Sequence, residues 1–318
     1  MNITIMKRFW ILMAAAALMA VSCSETEPDG NGGNGGNGDN GDHTPVEPAK
    51  VEFKIEGSVL AFRSPSIDEN GAGNFSDGDK NTVFFSDGKS SIKTAMQYTY
   101  GSTCLWDDLG LATKEEVTVT ACWPELSASD KDGLMSEAAS FVWNASTGNG
   151  KTDLLLAAPA KAVANETENI KLSFSHKLHK FVVELSVAQG EEITPEELAK
   201  AEIRLSSVLP EIPVTLATSS LGDAKGTPAE FSETGAKAWF IIPPQPAGEM
   251  TVTVAFAGKT FTTKVSECNV DGKPLESLES GKTFTLKVAV SKEKPFTIVG
   301  QAISGWESQG SADGSIEL

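Results

Sequence analysis

The residues that could carry catalytic or metal chemistry are few and poorly spaced. The sequence holds three histidines, His43, His176 and His179. His176 and His179 lie three positions apart in the segment HKLH, and on an extended strand this separation places them on opposite faces. No nucleophile elbow, phosphate-binding loop or paired glycine-rich dinucleotide motif occurs in the sequence. We therefore predict that the protein is not an enzyme and needs no metal or cofactor.

One acidic loop resembles the start of a calcium site. Residues 77–81 read DGDKN, which matches the opening of an EF-hand loop. The sixth position of such a loop is glycine and the twelfth is glutamate, whereas this chain has Thr82 and Gly88 there. An EF-hand is therefore excluded. A tight turn is the favoured interpretation, and a looser calcium site is the alternative.

Cysteine and tryptophan leave further alternatives open. The sequence has four cysteines, of which Cys23 lies near the amino end. The other three, Cys104, Cys122 and Cys268, fit no zinc spacing, and Cys122 either faces Cys104 across a hairpin or stays a buried thiol. Tryptophans within alternating strands are core candidates, and exposed tryptophans that stack on sugars are the alternative, which a glycan-binding protein would require.

Cys23 is the residue most strongly marked for modification. Lys7 and Arg8 precede an apolar run over residues 9–21, which suits the core of a signal peptide better than a membrane span. Residues 20–22 (Ala-Val-Ser) are small and lie directly before the cysteine. This pattern predicts a lipoprotein signal peptide over residues 1–22 and a lipid on Cys23. An ordinary signal peptide followed by a chance cysteine is the alternative.

The next stretch predicts a flexible acidic tether over residues 23–50. Its Gly/Asn repeat offers little apolar surface to offset the entropy of ordering. Its acidic residues either form a surface-export signal or keep a linker soluble. Removing residues 1–22 takes away Lys7 and Arg8 and no acid, so the formal charge moves from −17 to −19. That charge argues against nucleic-acid binding, and lipid alone would attach the protein to a membrane.

The remaining chain predicts an all-β fold. Short alternating segments recur at intervals with Gly, Pro, Asn or Asp between them, as in β-sandwiches or β-barrels, and the rhythm of a parallel α/β sheet is missing. Residues 171–187 form the longest such run, but their apolar alternation changes phase. We expect a bulge or bend near His179 and Lys180, where the chain passes from one sheet to another. Thr194, Pro195 and Glu197 predict a short capped helix.

Length and segment order predict two β-sandwich domains, over residues 51–165 and 166–318. The order of several short motifs also resembles the fimbrillin family, whose members are subunits of lipoprotein-derived pili. The resemblance spans nearly all of residues 20–306. In the first half it is carried by Arg63 after the first strand, by an F-x-x-G-D turn (Phe75, Gly78 and Asp79) and by Pro124 at the end of a strand. Three further motifs follow in order: Asp153-Leu154-Leu155, F-x-H-x-L (Phe174, His176 and Leu178) and I-x-x-W (Ile303 and Trp306).

The resemblance implies two tandem transthyretin-like or Ig-like sandwiches and a surface-exposed lipoprotein of the cell outer membrane that assembles with other fimbrillin subunits. In that scheme a protease cuts after an arginine and removes the first strand, and an extended segment of a neighbour, commonly its C-terminus, replaces it. The strand removed here would contribute Val51, Phe53, Ile55, Val59, Leu60 and Phe62. Residues 307–318 are polar and glycine-rich, which is short for a donor strand and leaves stalk, tip and anchor roles open.

If processing follows an arginine, as the resemblance implies, the placement of the arginines indicates which one is cut. Beyond residue 22 the sequence has two arginines, Arg63 and Arg204. Arg204 lies in a strand-like segment, whereas Arg63 directly precedes the turn-forming residues 64–66. Exposed loops are the preferred sites of proteolysis. We therefore expect cleavage after Arg63, and a surface glycan-binding lipoprotein is the alternative function.

Overall fold

Alternation of apolar and polar residues builds most of the chain into strands. The computed structural model describes residues 50–59, 75–89, 91–126 and 140–306. The first nine strands are β1 (Glu52–Val59), β2 (Lys80–Ser86), β3 (Ile92–Thr99), β4 (Cys104–Leu105), β5 (Glu116–Trp123), β6 (Ser140–Asn144), β7 (Leu155–Ala157), β8 (Ala160–Val163) and β9 (Asn169–His176).

Fourteen further strands follow. They are β10 (His179–Val187), β11 (Glu202–Val208), β12 (Glu211–Thr215), β13 (Ser220–Leu221), β14 (Ala229–Thr234), β15 (Lys237–Ile242), β16 (Gln245–Pro246), β17 (Thr251–Phe256), β18 (Lys259–Lys264), β19 (Asn269–Val270), β20 (Lys273–Pro274), β21 (Ser277–Leu278), β22 (Lys282–Val290) and β23 (Thr297–Gly305). The helical segments are α1 (Pro195–Leu198) and the 3₁₀ turns Trp106–Leu109, Ala145–Gly148 and Val265–Glu267. The prediction of an all-β fold is confirmed.

The first sheet has eight strands, in the order β3-β2-β5-β7-β9-β1-β4 with β8 also paired to β5. Its inward side chains form one hydrophobic core, which includes Phe53 and Ile55 of β1. The strand β9 belongs to this sheet although it lies beyond residue 165. The predicted boundary between residues 165 and 166 therefore falls before the last strand of the first sheet in chain order, and the division into two domains stays a prediction.

Two four-stranded sheets form a sandwich in the second half. Their orders are β15-β10-β22-β23 and β14-β11-β17-β18. Both sheets contribute to a single core, with Phe240 and Phe284 from the first and Phe231 from the second. A third cluster joins residues of the two halves, such as Leu156 of β7 and Ile212 of β12. Pairing of β6 with β12 also connects the two halves through main-chain hydrogen bonds.

The change of phase within residues 171–187 marks a transfer between sheets. The strand β9 pairs with β1 and β7, whereas β10 pairs with β15 and β22. The break falls at Lys177 and Leu178, slightly earlier than we predicted. Both phases can therefore point their apolar residues into a core, and the interpretation of two sheet environments is confirmed.

The predicted helix start is also confirmed. The Thr194 hydroxyl accepts a hydrogen bond from the Glu197 amide, and the Glu197 carboxylate accepts one from the Thr194 amide, which makes a capping box. Pro195 occupies the first turn, and the helix extends only to Leu198.

Several predictions fall outside the described residues. These are the lipid on Cys23, the tether, Leu60, Phe62, the cleavage site at Arg63 and the segments 127–139 and 307–318. Within the described part of the chain, no helix is long and apolar enough to cross a membrane.

Candidate functional site

The strand β1 is held unequally along its two edges. One edge makes six parallel pairs with β9, from Lys54 opposite Asn169 to Val59 opposite Phe174. The other edge makes two antiparallel pairs with β4. We call the surface that receives this strand the β1 groove; it consists of β4, β9 and the side chains of Phe85, Tyr98, Tyr100 and Trp106.

Alternation decides which side chains of β1 enter the groove. Phe53 and Ile55 are 1% and 3% exposed, whereas Glu52, Lys54 and Glu56 between and beside them face solvent. The strand therefore has one buried face and one charged face, as period-2 patterning predicts.

An aromatic pocket receives Phe53. Its ring centroid lies 4.6 Å from that of Trp106 and 6.2 Å from that of Phe85, which it meets edge-on. Trp106 is 1% exposed, and its indole N–H donates to the carbonyl of Thr167 at 2.8 Å. This hydrogen bond fixes the indole, so the pocket has a rigid wall on the side of the 3₁₀ turn.

Tyr98 bonds to the main-chain groups of Ile55 in β1. Its hydroxyl accepts from the Ile55 amide at 3.1 Å and lies 3.2 Å from the Ile55 carbonyl oxygen, to which it can donate. The hydroxyl also reaches the Ser102 carbonyl at 3.0 Å. Because these contacts are to main-chain atoms, Tyr98 would hold any strand in this place irrespective of its side chains.

Tyr100 closes the groove beside Gly57. A Cβ atom added at Gly57 would lie 2.7 Å from Tyr100 Cζ and 2.8 Å from Cε1, closer than real Cβ contacts allow. The phenol ring stacks on Phe75 at 4.5 Å with an interplanar angle of 6°, and Asn81 Nδ2 donates to the hydroxyl at 3.0 Å. Tyr100 is therefore fixed in position.

Burial raises the pKa of both tyrosine hydroxyls. Each hydroxyl consequently stays neutral and can act as both donor and acceptor at ordinary pH. Desolvation likewise raises the pKa of Cys104 in β4, which disfavours its thiolate. The groove therefore offers apolar contact and neutral hydrogen bonds rather than charge.

A cleft adjoins the start of β1. Its volume is about 550 Å³, and it is lined by residues of β1 and by Thr103, Glu168 and Asn169. It lies on the side where β4 ends after two paired residues. The start of β1 is therefore less enclosed than the segment around Ile55.

A second set of predicted residues meets at the end of β9. His176 Nδ1 lies 2.5 Å from Asp153 Oδ2, and the imidazole stacks on Trp306 with centroids 4.3 Å apart. Asp153 and Trp306 are 0% and 3% exposed. Three motifs of the sequence analysis therefore converge here, in a buried contact without access for a substrate.

His179 occupies a separate buried position. Its Nδ1 donates to the Glu279 carbonyl at 2.8 Å, and the residue begins β10, the strand after the one that ends at His176. Burial lowers the pKa of His179 to about 4, so the ring is neutral at pH 7. Among the described residues no group of three or more His, Cys, Asp or Glu side chains could hold a metal ion.

The other sequence candidates have structural explanations. Residues 77–78 form a turn in which Gly78 has φ 94°, and Asp79 Oδ2 accepts from the Ser76 amide. Cys104, Cys122 and Cys268 are all free thiols, so of the two alternatives left open for Cys122 the structure has the buried free thiol.

The five tryptophans within the described residues do not form an exposed stacking platform. Trp106 and Trp306 are buried, and the other three described tryptophans are half-buried. Trp143 and Trp239 pack against the cluster that joins the two halves.

Comparison with known proteins identifies the family. A model of the fimbrillin-like family matches residues 66–306, most of the chain. The chain belongs to the fimbrillin-like family. The resemblance drawn from the motifs is therefore confirmed, and membership supports a structural role in a cell-surface fimbria. None of the curated proteins compared with this sequence matches it.

Solved structures agree on the fold. A candidate cell adhesion protein from Bacteroides uniformis is 16% identical, with a TM-score of 0.59 over 81% of this chain and 99% of that chain. A second candidate cell adhesion protein, from Bacteroides ovatus, is 19% identical, with a TM-score of 0.56 over 83% of this chain and 100% of that one. At these identities the likeness shows the fold alone. The fimbrial anchor protein Mfa2 from Porphyromonas gingivalis has 13% identity and a TM-score of 0.40 over 81% of this chain and 97% of its own.

In this fimbrillin-like chain the alternation of residues 51–55 predicts a first strand with Val51, Phe53 and Ile55, and the structure puts Phe53 and Ile55 in a buried core. The sequence did not predict their contacts with Tyr98, Tyr100 and Trp106, which lie far from β1 in the chain. The alternating segment YTY at the end of β3 carried a usable signal, because tyrosines two apart on a strand share one face. Their partner could not be deduced without the fold.

Proposed function

We propose that this chain is a non-enzymatic structural subunit of a surface fimbria that assembles by exchange of its first strand. The observation that carries the proposal is the placement of β1, a strand with a buried face, six main-chain pairs on one edge and two on the other. A strand held in this way by main-chain hydrogen bonds and alternate pockets can be replaced by another strand of similar pattern.

The proposed sequence of events begins at the membrane. A lipid on Cys23 would anchor the precursor to the outer membrane, and cleavage after Arg63 would separate residues 23–63, which carry both the lipid and β1, from the rest of the chain. Departure of β1 would unpair one edge of β9 and empty the pockets of Phe53 and Ile55. An edge of that kind pairs readily with another chain. A strand from a neighbouring subunit would fill it, and repetition would build a polymer or a tip or anchor contact. Loss of palmitate labelling in Cys23→Ala tests the anchor.

The experiment that tests strand exchange is limited digestion with an Arg-specific protease. We expect a single cut after Arg63 and oligomers that resist mild detergent. Arg63→Ala should stay intact and monomeric. Arg204→Ala is the matched control and should behave as wild type, because Arg204 lies in β11 between two paired strands. A protein that is cut at Arg63 and remains monomeric would refute assembly by this route.

The alternative of a glycan-binding lipoprotein receives no specific support. That function called for exposed, coplanar tryptophans, and each described tryptophan is buried or half-buried.

A further inference from the structure

We infer that the β1 groove accepts incoming strands with the pattern aromatic-x-branched aliphatic-x-glycine, and that it excludes other strands by the size of the residue at the third of these positions, that of Gly57. The inference rests on the proposed function and adds to it the chemistry of the partner. It follows from what each inward position of β1 meets in the groove.

The first position requires an aromatic ring. Phe53 lies between Trp106 and Phe85, and all three centroid distances among these rings are between 4.6 and 6.2 Å. A smaller side chain would leave a cavity in this pocket, since the Trp106 indole is held by its hydrogen bond to Thr167. The second position, that of Ile55, is 3% exposed within the same core and suits a branched aliphatic side chain.

The third position tolerates glycine alone. The φ angle of Gly57 lies outside the left-handed region, so the backbone there would permit any residue. Space is the constraint, because an added Cβ would meet the Tyr100 ring at 2.7 Å. The Tyr100 side chain cannot rotate away from Gly57. Its ring stacks on Phe75 and meets the Tyr98 ring edge-on, with centroids 5.4 Å apart, and its hydroxyl accepts a hydrogen bond from Asn81.

Tyr98 and Tyr100 therefore have different roles in receiving a strand. Tyr98 bonds to main-chain atoms at Ile55 and holds a strand of any sequence. Tyr100 discriminates between incoming strands, since it excludes every residue with a side chain at the position of Gly57, two residues after Ile55. The pairing with β9 also sets direction, because the incoming strand must run parallel to β9 as β1 does. The partner is thus an extended segment of another subunit with the stated pattern.

The first test uses the intact chain and does not depend on cleavage. Gly57→Ala should lower the melting temperature by roughly 4–8 °C through overpacking. Ser58→Ala is the matched control; its side chain is exposed, and the variant should melt within about 1 °C of wild type. Adding Tyr100→Leu should make the Gly57→Ala change nearly neutral when compared with Tyr100→Leu alone. Wild-type melting of Gly57→Ala would overturn the inference.

The second test measures selection between strands. The chain is cut with the Arg-specific protease and mixed with a fluorescent peptide of residues 50–62, or with the same peptide carrying Gly57→Ala or Ser58→Ala. We expect the Gly57→Ala peptide to bind at least about ten-fold more weakly than the other two. On cut Tyr100→Leu protein all three should bind alike.

The outcomes separate the inference from the proposed function. If all three peptides bind the cut wild-type protein equally, strand exchange stands and selection by Tyr100 is wrong. If the chain is cut, remains monomeric and binds none of the peptides, strand exchange itself is wrong, and the inference about the partner is overturned with it.

Discussion

The first and last strands of the described chain share a sequence pattern and have different environments. Residues 53–57 read FKIEG and residues 296–300 read FTIVG, so both carry Phe-x-Ile-x-Gly. The strand β1 lies inside a sheet, between β9 and β4, whereas β23 lies at the edge of its sheet beside β22 alone. The same three residue types therefore serve two different structural purposes.

A register shift accounts for much of the difference. In β1 the alternation is unbroken, and Phe53, Ile55 and Gly57 all face the core. In β23 the pairing shifts between Lys287 and Val288, so Gly300 stands opposite Lys287 on the outer side. An added Cβ at Gly300 would meet the Lys287 side chain at 3.4 Å, an ordinary contact with a flexible group.

The two strands are also anchored differently. The strand β1 is held along its length by pockets and main-chain bonds. The last strand is followed directly by Trp306, whose ring stacks on His176 and whose amide donates to the Gly281 carbonyl at 3.1 Å. Glu279, two residues before Gly281, accepts from His179. The comparison shows that β1 is held by alternating buried residues and by main-chain hydrogen bonds, whereas the end of β23 is held next to Trp306, whose ring contacts His176.

The largest expected effect tests the pockets of β1. Phe53→Ala should destabilise the intact protein by about 3–5 kcal/mol, because the rigid aromatic pocket cannot collapse. Val299→Ala in β23 is the control; its side chain is 56% exposed, and the change should stay within about 0.5 kcal/mol. Chemical denaturation of both variants measures the free energies of unfolding. Equal effects would remove the distinction between the two strands.

An intermediate effect tests the anchor of the last strand through pH. Burial holds the pKa of His179 at about 4, below the value of about 6.5 in an unfolded chain. As the pH falls, His179 therefore takes up its proton in the unfolded chain before it does so in the folded protein. The neutral buried ring makes its full contribution to the free energy of unfolding above about pH 6.5. This contribution falls as the pH drops towards 4, by up to about 3 kcal/mol.

The measurement compares the free energy of unfolding at pH 7 and pH 4.5 in wild type and in His179→Leu. The leucine variant should lose less stability on acidification, since it lacks the titrating ring. If both proteins lose the same amount, the buried ring of His179 does not contribute to the acid sensitivity of the fold.

The smallest expected effect sharpens the comparison of the two glycines. Gly300→Ala should change the free energy of unfolding by less than about 0.5 kcal/mol, because Lys287 can move aside. Thermal melting beside Gly57→Ala provides the measurement. A loss at Gly300 as large as the loss at Gly57 would show that the shared pattern, rather than the Tyr100 ring, makes glycine necessary.

Local pattern alone determined several features of this protein. Alternation in VEFKI placed Phe53 and Ile55 on one face, the phase change within residues 171–187 predicted the transfer between sheets, and Thr194 with Glu197 predicted the capped turn. These features follow from neighbours a few residues apart, because strand and helix periodicities and capping bonds are local. The ordered motifs likewise identified the family.

Only the tertiary structure decided what each of these residues meets. Tyr98 bonds to Ile55 across 43 positions, and Asp153 reaches His176 across 23. Residues 53–57 and 296–300 carry the same pattern, yet a bulge turns Gly300 outward while Tyr100 confines Gly57. Such contacts depend on sheet order and register, which arise from packing of the whole chain, so the period of a single segment cannot specify them.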